Sequence, residues 1–311
     1  MTVIVFPGQG SQFVEMGKDF YDSFQEVKDT FSLISDVSKI DIKDIIFNNP
    51  SDLLHQTQFT QISIFAVSIS LFQVLKKHLD TSDLKINFML GHSLGEYSAL
   101  CAANFFTIKD CAYLLKNRGE LMQNAYEPNQ STMAAIIGIN CVKAEQIIKE
   151  NNLKIEIAND NSPIQIVISG KKEEILNSES VFNEYGAIKF ILLNVSAAFH
   201  SNLMLTAQKE MNKFIDHISF NESNINIISN ISAQHSNDVA TIKKNLSNQM
   251  SNKVRWVESI NLLENLKENN IIEIGPGKIL SGLIKRINKK FNIMNFNKIS
   301  DIEMIKNASK S

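Results

Sequence analysis

Short unbroken apolar runs alternate along the chain with apolar residues at helical spacing, and that alternation sets the fold class. Val3-Ile4-Val5-Phe6 is one such run, closed by the turn-forming cluster Pro7-Gly8-Gln9-Gly10-Ser11-Gln12, and reads as a strand handing over to a loop. Ile62, Phe65, Ala66, Ile69, Phe72 and Leu75 fall at helical spacing and predict a buried helix over Gln58 to Lys77. A second run, Ile86 to Leu90, leads through Gly91-His92-Ser93-Leu94-Gly95 into a helix-like Glu96 to Ala103. Strand, helix, strand, turn and helix in that order predict an α/β domain with a parallel sheet, in which ligands sit beyond the carboxyl ends of the strands.

From Met133 the pattern changes. The strand-like Met133 to Gly138, a helix over Val142 to Glu150, strands over Ile155 to Asn159 and Ile164 to Gly170, a helix near Lys172 to Tyr185 and a strand over Ala187 to Leu193 make a β-α-β-β-α-β run. This predicts a ferredoxin-like insert over residues 129–195, set into a main domain formed by residues 1–128 and 196–311. The last clear strand, Ile271 to Ile274, leads into Gly275-Pro276-Gly277-Lys278 and a helix around Ile279 to Ile287; the tail beyond is polar and has no legible structure.

With 311 residues, 44% of them hydrophobic, the chain can bury a substantial core. A net charge of -2 gives no electrostatic reason to bind nucleic acid. Cys101, Cys111 and Cys141 form no C-x-x-C pair and are odd in number, so a reducing cytoplasm is expected instead of a disulfide framework. The N-terminus enters a strand without the basic region and long apolar core of a signal peptide, and the stretch Ile62 to Phe72 is too short to span a bilayer. No membrane association is expected. Gly8-x-Gly10 meets Phe13 where a dinucleotide fingerprint needs glycine, and Gly277-Lys278 lacks the remaining phosphate-loop residues. No two histidines are spaced i, i+4 on a helix and none has a cysteine neighbour, so no metal site is expected.

The chemistry centres on Ser93. Glycines on both sides let strand and helix approach closely around a serine whose backbone turns sharply, leaving its hydroxyl exposed near a helix N-terminus. Such a serine needs a base. His200, just after a predicted strand and before a helix-like Asn202 to Lys213, is the best placed histidine, although a structural histidine at a helix start fits the same pattern. His92 diverges from Ser93 on the tight turn and is assigned a supporting place. By spacing alone, Arg118 is a solvated arginine paired with Glu120.

Six motifs then occur in one order: Gly8-Gln9-Gly10-Ser11-Gln12, Gly91-His92-Ser93-Leu94-Gly95-Glu96, Arg118-Gly119-x-x-Met122-Gln123, Ala158-Asn159-x-Asn161-Ser162-Pro163, Ala198-Phe199-His200-Ser201 and Glu273-Ile274-Gly275-Pro276-Gly277-Lys278. From about Val3 to Ile287 the chain thus resembles the malonyl-CoA:acyl-carrier-protein transacylases. The resemblance implies an α/β-hydrolase-like core with a ferredoxin-like insert. It implies malonyl transfer from coenzyme A to the phosphopantetheine thiol of acyl carrier protein, in fatty-acid synthesis, with malonyl-CoA as a substrate and no cofactor.

Carried over to this sequence, the resemblance makes Ser93 the nucleophile and His200 its base, the imidazole being oriented by main-chain carbonyls near Gln249 instead of by an acid. It places the oxyanion hole at the backbone N–H groups of Gln12 and Leu94. It gives Arg118 the free carboxylate of malonate and puts Gln249, Met122, Asn159 and Phe199 at the substrate, with Phe199 disfavouring a branched acyl group. Asp160 and the Asn161-Ser162-Pro163 turn beside Asn159 read equally as part of the insert's own architecture. Lys253 departs from the family pattern, standing where many relatives have proline.

Two rival activities use the same elbow. One is an acyltransferase for another acyl-CoA; the other is a thioesterase-type hydrolase, which calls for an acid partner such as Asp160 or Glu184. Finally, Lys278, Lys285, Arg286, Lys289 and Lys290 crowd a segment free of acids, and Lys285 and Arg286 are expected to dock the acidic carrier protein.

Overall fold

Val3, Ile4, Val5 and Phe6 are all completely buried, which a strand allows only when both faces of its sheet are covered. The computed structural model describes residues 2–78 and 84–309. Its strands are β1 (Thr2–Phe6), β2 (Ile86–Gly91), β3 (Ser131–Ile137), β4 (Ile155–Ser162), β5 (Gln165–Lys171), β6 (Lys189–Leu192), β7 (Asn226–Ile228), β8 (His235–Ser236), β9 (Asn270–Ile274) and β10 (Asn292–Phe296). One sheet has the order β10-β9-β1-β2-β7-β8, parallel throughout except for the edge strand β8. The other is antiparallel, in the order β4-β5-β3-β6. The protein is therefore of mixed α/β class, as its alternating pattern predicts.

The helix expected over Gln58 to Lys77 spans Thr57–His78. It is long and apolar enough to cross a membrane, but it is buried almost all round and packs against the Gln25–Ser38, Leu94–Ala102 and Ile108–Gln123 helices. Its burial takes polar groups inside as well, among them Gln61.

Alternation explains how the second sheet sits. Ala134 and Ile136 of β3 point to one face, where Ile166, Ile168, Ile147 of the Cys141–Glu150 helix and Ile175 and Phe182 of the Lys172–Glu184 helix complete a local core. Met133 and Ala135 point to the other face and join the main core with Val167. A bulged stretch of β4 adds a backbone link: Val254 donates its N–H to Ala158 O at 2.8 Å, and Asp160 donates to Val254 O at 2.9 Å.

The tail is more ordered than its polarity predicts. β10 pairs in parallel with β9, burying Phe296 completely, and a helix follows over Asp301–Ser309.

Candidate active site

β2 ends at Gly91 and the next helix begins at Leu94, so Ser93 lies on the turn between them with φ 53° and ψ −108°. A Cβ on Gly91 would come within 2.0 Å of the Gly95 carbonyl, and one on Gly95 within 2.2 Å of Phe6 O. Only glycine fits either position. Left-handed backbone at a serine costs about 1–3 kcal/mol and needs support. Asn230, just beyond β7, supplies it: its side-chain oxygen accepts the Ser93 N–H at 2.7 Å and its amide donates to Gly91 O at 2.7 Å. No sequence signal pointed to Asn230.

His200, also left-handed at φ 56°, is set by its own N–H donating to Met250 O. Its Nε2 lies 2.8 Å from Ser93 Oγ. Its Nδ1 lies 3.1 Å from both Gln249 O and Asn252 O, two acceptors that require a proton on Nδ1 and leave the Nε2 lone pair for the serine hydroxyl. Burial, with the Arg118 charge and His92 adding to it, holds the imidazole pKa down at about 3, so the ring is neutral at physiological pH. No hydrogen bond joins His200 to Asp160 or Glu184, the acids a hydrolase triad would recruit. His92 turns the other way: its Nε2 lies 2.8 Å from Asn161 Oδ1 and its ring packs beside Trp256.

Arg118 is fully buried, not solvated, and Glu120 pairs with Lys116 instead. The guanidinium lies over the Tyr97 ring; Nη1 donates to Gln61 Oε1 at 2.5 Å, while Nη2 donates to Gln249 Oε1 at 3.0 Å and to Ser93 Oγ at 3.1 Å. Arg118 Nε is buried with no hydrogen-bond partner. A buried donor left unpaired is costly unless a ligand takes it up. Gln61 was missed in the sequence; a lone amide among the buried positions of an apolar helix was the available signal.

These groups open on a cavity of ≈ 90 Å³, a size that suits a short acyl group. Leu94, Arg118, Met122, Asn159, Phe199 and His200 line it with Ser93, joined by Met133, Leu193 and Val195, which the sequence had not singled out. Gln249 stands behind this wall. Its amide is held by Arg118, Ser93 O and Glu96, so it orients the site and does not line it. Leu94 opens its helix, where a backbone N–H has no intrahelical partner.

The Gln12 assignment needs correction. Gly8 packs against the His92 carbonyl, so the next residue, Gln9, comes level with the elbow and lines the cavity. Gly10, at φ 102°, then turns the chain away, and the Gln12 side chain folds back onto Gly10 N–H and towards His55. The basic segment is also divided. Lys285 and Arg286 are exposed in the last turn of the Ile279–Ile287 helix, where Arg286 donates to Gln165 on the β4–β5 hairpin, the same hairpin whose Asn161 meets His92. Lys289 and Lys290 precede β10, whose first residue pairs with the first residue of β9, so they belong to the end of the sheet remote from Ser93.

Residues 3–305 match the family described as the acyl transferase domain. A malonyl CoA-acyl carrier protein transacylase of Bacillus subtilis (strain 168) is 37% identical over 308 residues, 98% of this chain and 95% of its own. The crystal structure of an acyl-carrier-protein-S-malonyltransferase from Bartonella henselae matches with a TM-score of 0.95 at 36% identity, covering 100% of this chain and 99% of that one. A type II PKS acyl-carrier protein in complex with its malonyl-transacylase matches with a TM-score of 0.93 at 30% identity, covering 99% of each chain.

Proposed function

Because the chain belongs to the acyl transferase family, among the malonyl-CoA:acyl-carrier-protein transacylases, we propose that Ser93, His200 and Arg118 carry malonyl from malonyl-CoA to acyl carrier protein. The observation that carries this reading is the position of Ser93 Oγ, 2.8 Å from a neutral imidazole and 3.1 Å from a buried guanidinium. His200 Nε2 takes the hydroxyl proton as Ser93 attacks the thioester carbonyl, then returns it to the departing coenzyme A sulfur. In the second half-reaction Nε2 deprotonates the phosphopantetheine thiol, whose sulfur attacks the malonyl ester, and the imidazolium gives that proton to Ser93 Oγ as it leaves. The backbone N–H groups of Leu94 and Gln9 face the oxyanion in both steps. Ser93's own N–H, engaged by Asn230, does not.

Arg118 holds the malonate carboxylate along the guanidinium edge that carries the unpaired Nε–H, a two-pronged recognition that acetyl cannot use. The small cavity and a histidine oriented by carbonyls both weigh against a lipase-like hydrolase. No cofactor enters these steps. Three free thiols support a reducing, cytoplasmic setting. The main domain reads as α/β-hydrolase-like, and residues 129–195 as a ferredoxin-like insert, supported by the antiparallel order β4-β5-β3-β6 with two helices on one face. Intact-mass spectrometry after brief incubation with malonyl-CoA or acetyl-CoA separately is expected to show a malonyl adduct on the protein and little acetyl adduct. Equal labelling by both would remove the substrate assignment.

The acidic carrier protein docks beside Lys285 and Arg286. The support is Arg286's contact with the hairpin that reaches the elbow, on a segment without acids. Changing both residues to glutamate is expected to raise the apparent KM for carrier protein about tenfold at low salt, with malonylation of Ser93 by malonyl-CoA little changed. Equal loss in both half-reactions would place docking elsewhere.

A further inference from the structure

Glu96 has no place in the chemistry above, yet it is a carboxylate only 2% exposed, one turn into the nucleophile's helix. Its Oε2 accepts from Gln249 Nε2 at 2.7 Å and from the Asn230 backbone N–H at 3.2 Å. Burial raises its pKa to about 7 against the opposing pull of the Gln249 hydrogen bond, so the fold retains this carboxylate at an energetic cost.

The geometry shows what the carboxylate does. A glutamine amide fits a slot in either of two flips, with oxygen and nitrogen exchanged. In the observed flip Gln249 Nε2 donates to Ser93 O at 2.9 Å and to Glu96, which leaves Oε1 to accept from Arg118 Nη2 at 3.0 Å. In the other flip the amide oxygen would face the Ser93 carbonyl and the Glu96 carboxylate, while the amide N–H groups would face the guanidinium. Ionised, as it is above about pH 7, the carboxylate only accepts and so permits one flip alone. We propose that Glu96 is a positioning residue for acyl selection: it fixes the Gln249 amide, which in turn aims the Arg118 guanidinium at the acyl pocket. Gln61 holds the other end of that guanidinium, so aim depends on two amides, of which only Gln249 is controlled by a charge.

The proposal rests on the reading of Arg118 as the malonate clamp, and its test separates the two. Acyl-serine formation is measured with malonyl-CoA and with acetyl-CoA for the wild type, Glu96→Gln, Gln249→Met, the double variant and Arg118→Ala. Glu96→Gln removes the charge without changing shape and can donate to a flipped amide. It is expected to raise KM for malonyl-CoA and lower the malonyl-to-acetyl ratio of kcat/KM about tenfold, with acetyl kinetics little changed. Glu96→Asp, one methylene short of Gln249, is expected to do the same, and carries the test should Glu96→Gln not fold. In the Gln249→Met background the Glu96→Gln change is expected to move the ratio no further. Equal loss for both acyl groups, or additive losses in the double variant, would overturn the proposal and leave Glu96 a structural residue. Arg118→Ala retaining the wild-type preference would instead overturn the clamp beneath it.

Discussion

Ser93→Ala is expected to abolish acyl-enzyme formation and to lower malonyl transfer by about 10⁶-fold, the scale seen when a hydrolase loses its nucleophile. The substitution removes one oxygen and keeps the Cβ, so the strained turn at φ 53° and its Asn230 hydrogen bonds are retained. Folding stability should therefore change little. His200 Nε2 and one Arg118 N–H lose a partner, but both face the cavity and can be solvated. Intact mass after malonyl-CoA treatment checks the first expectation and the melting temperature the second. A malonyl adduct on the variant would mean that another residue is the nucleophile.

Arg118→Ala is expected to lower kcat/KM for malonyl-CoA by about 10²–10³-fold, in line with the ~3–5 kcal/mol lost when one partner of a buried charge pair is removed. Acetyl-CoA, which has no carboxylate to leave unpaired, should lose far less, and the preference should collapse. Truncating a fully buried arginine also strips Gln61, Gln249 and the Tyr97 face of their contact, so Arg118→Met, closer in volume, separates lost packing from lost charge. Lysine should rescue only in part, because an ammonium cannot satisfy two amides and a carboxylate with a planar fork. The ratio of malonyl to acetyl labelling is the measurement; a ratio unchanged in both uncharged variants would leave Arg118 a packing residue.

Much of this site was legible because its requirements are local. Gly91 and Gly95 announce a close approach of strand and helix, and the apolar run before them identifies the strand. The Thr57–His78 helix and the second sheet were readable for the same reason: their burial imposes a period. What stayed hidden depends on contacts distant in sequence. Asn230 reaches Ser93 across 137 positions, and nothing near it marks the encounter; Gln249 reaches Ser93 across 156, and only the family resemblance brought it to the site. Gln9 and Gln12 were confused because both are glutamines in one glycine-rich turn, and only the left-handed Gly10 decides which of them faces the elbow. β10 was missed because Asn292 and Asn295 break its apolar run, as a half-exposed edge strand permits.

The backbone link between Ala158, Asp160 and Val254 bears on how portable the β4-β5-β3-β6 sheet is. Grafting residues 129–195 from a relative, to alter acyl preference, would bring in new counterparts of Met133, Asn159, Leu193 and Val195 while leaving their anchor in the host. That anchor lies two residues beyond Asn252, whose carbonyl holds the His200 imidazole. A graft with slightly different register at Val254 would pull on the loop that aligns His200, so a swap meant to change specificity would disturb proton transfer as well. The unit to exchange is therefore expected to be the β4-β5-β3-β6 sheet together with the Gln249–Arg255 segment, two stretches far apart in the gene.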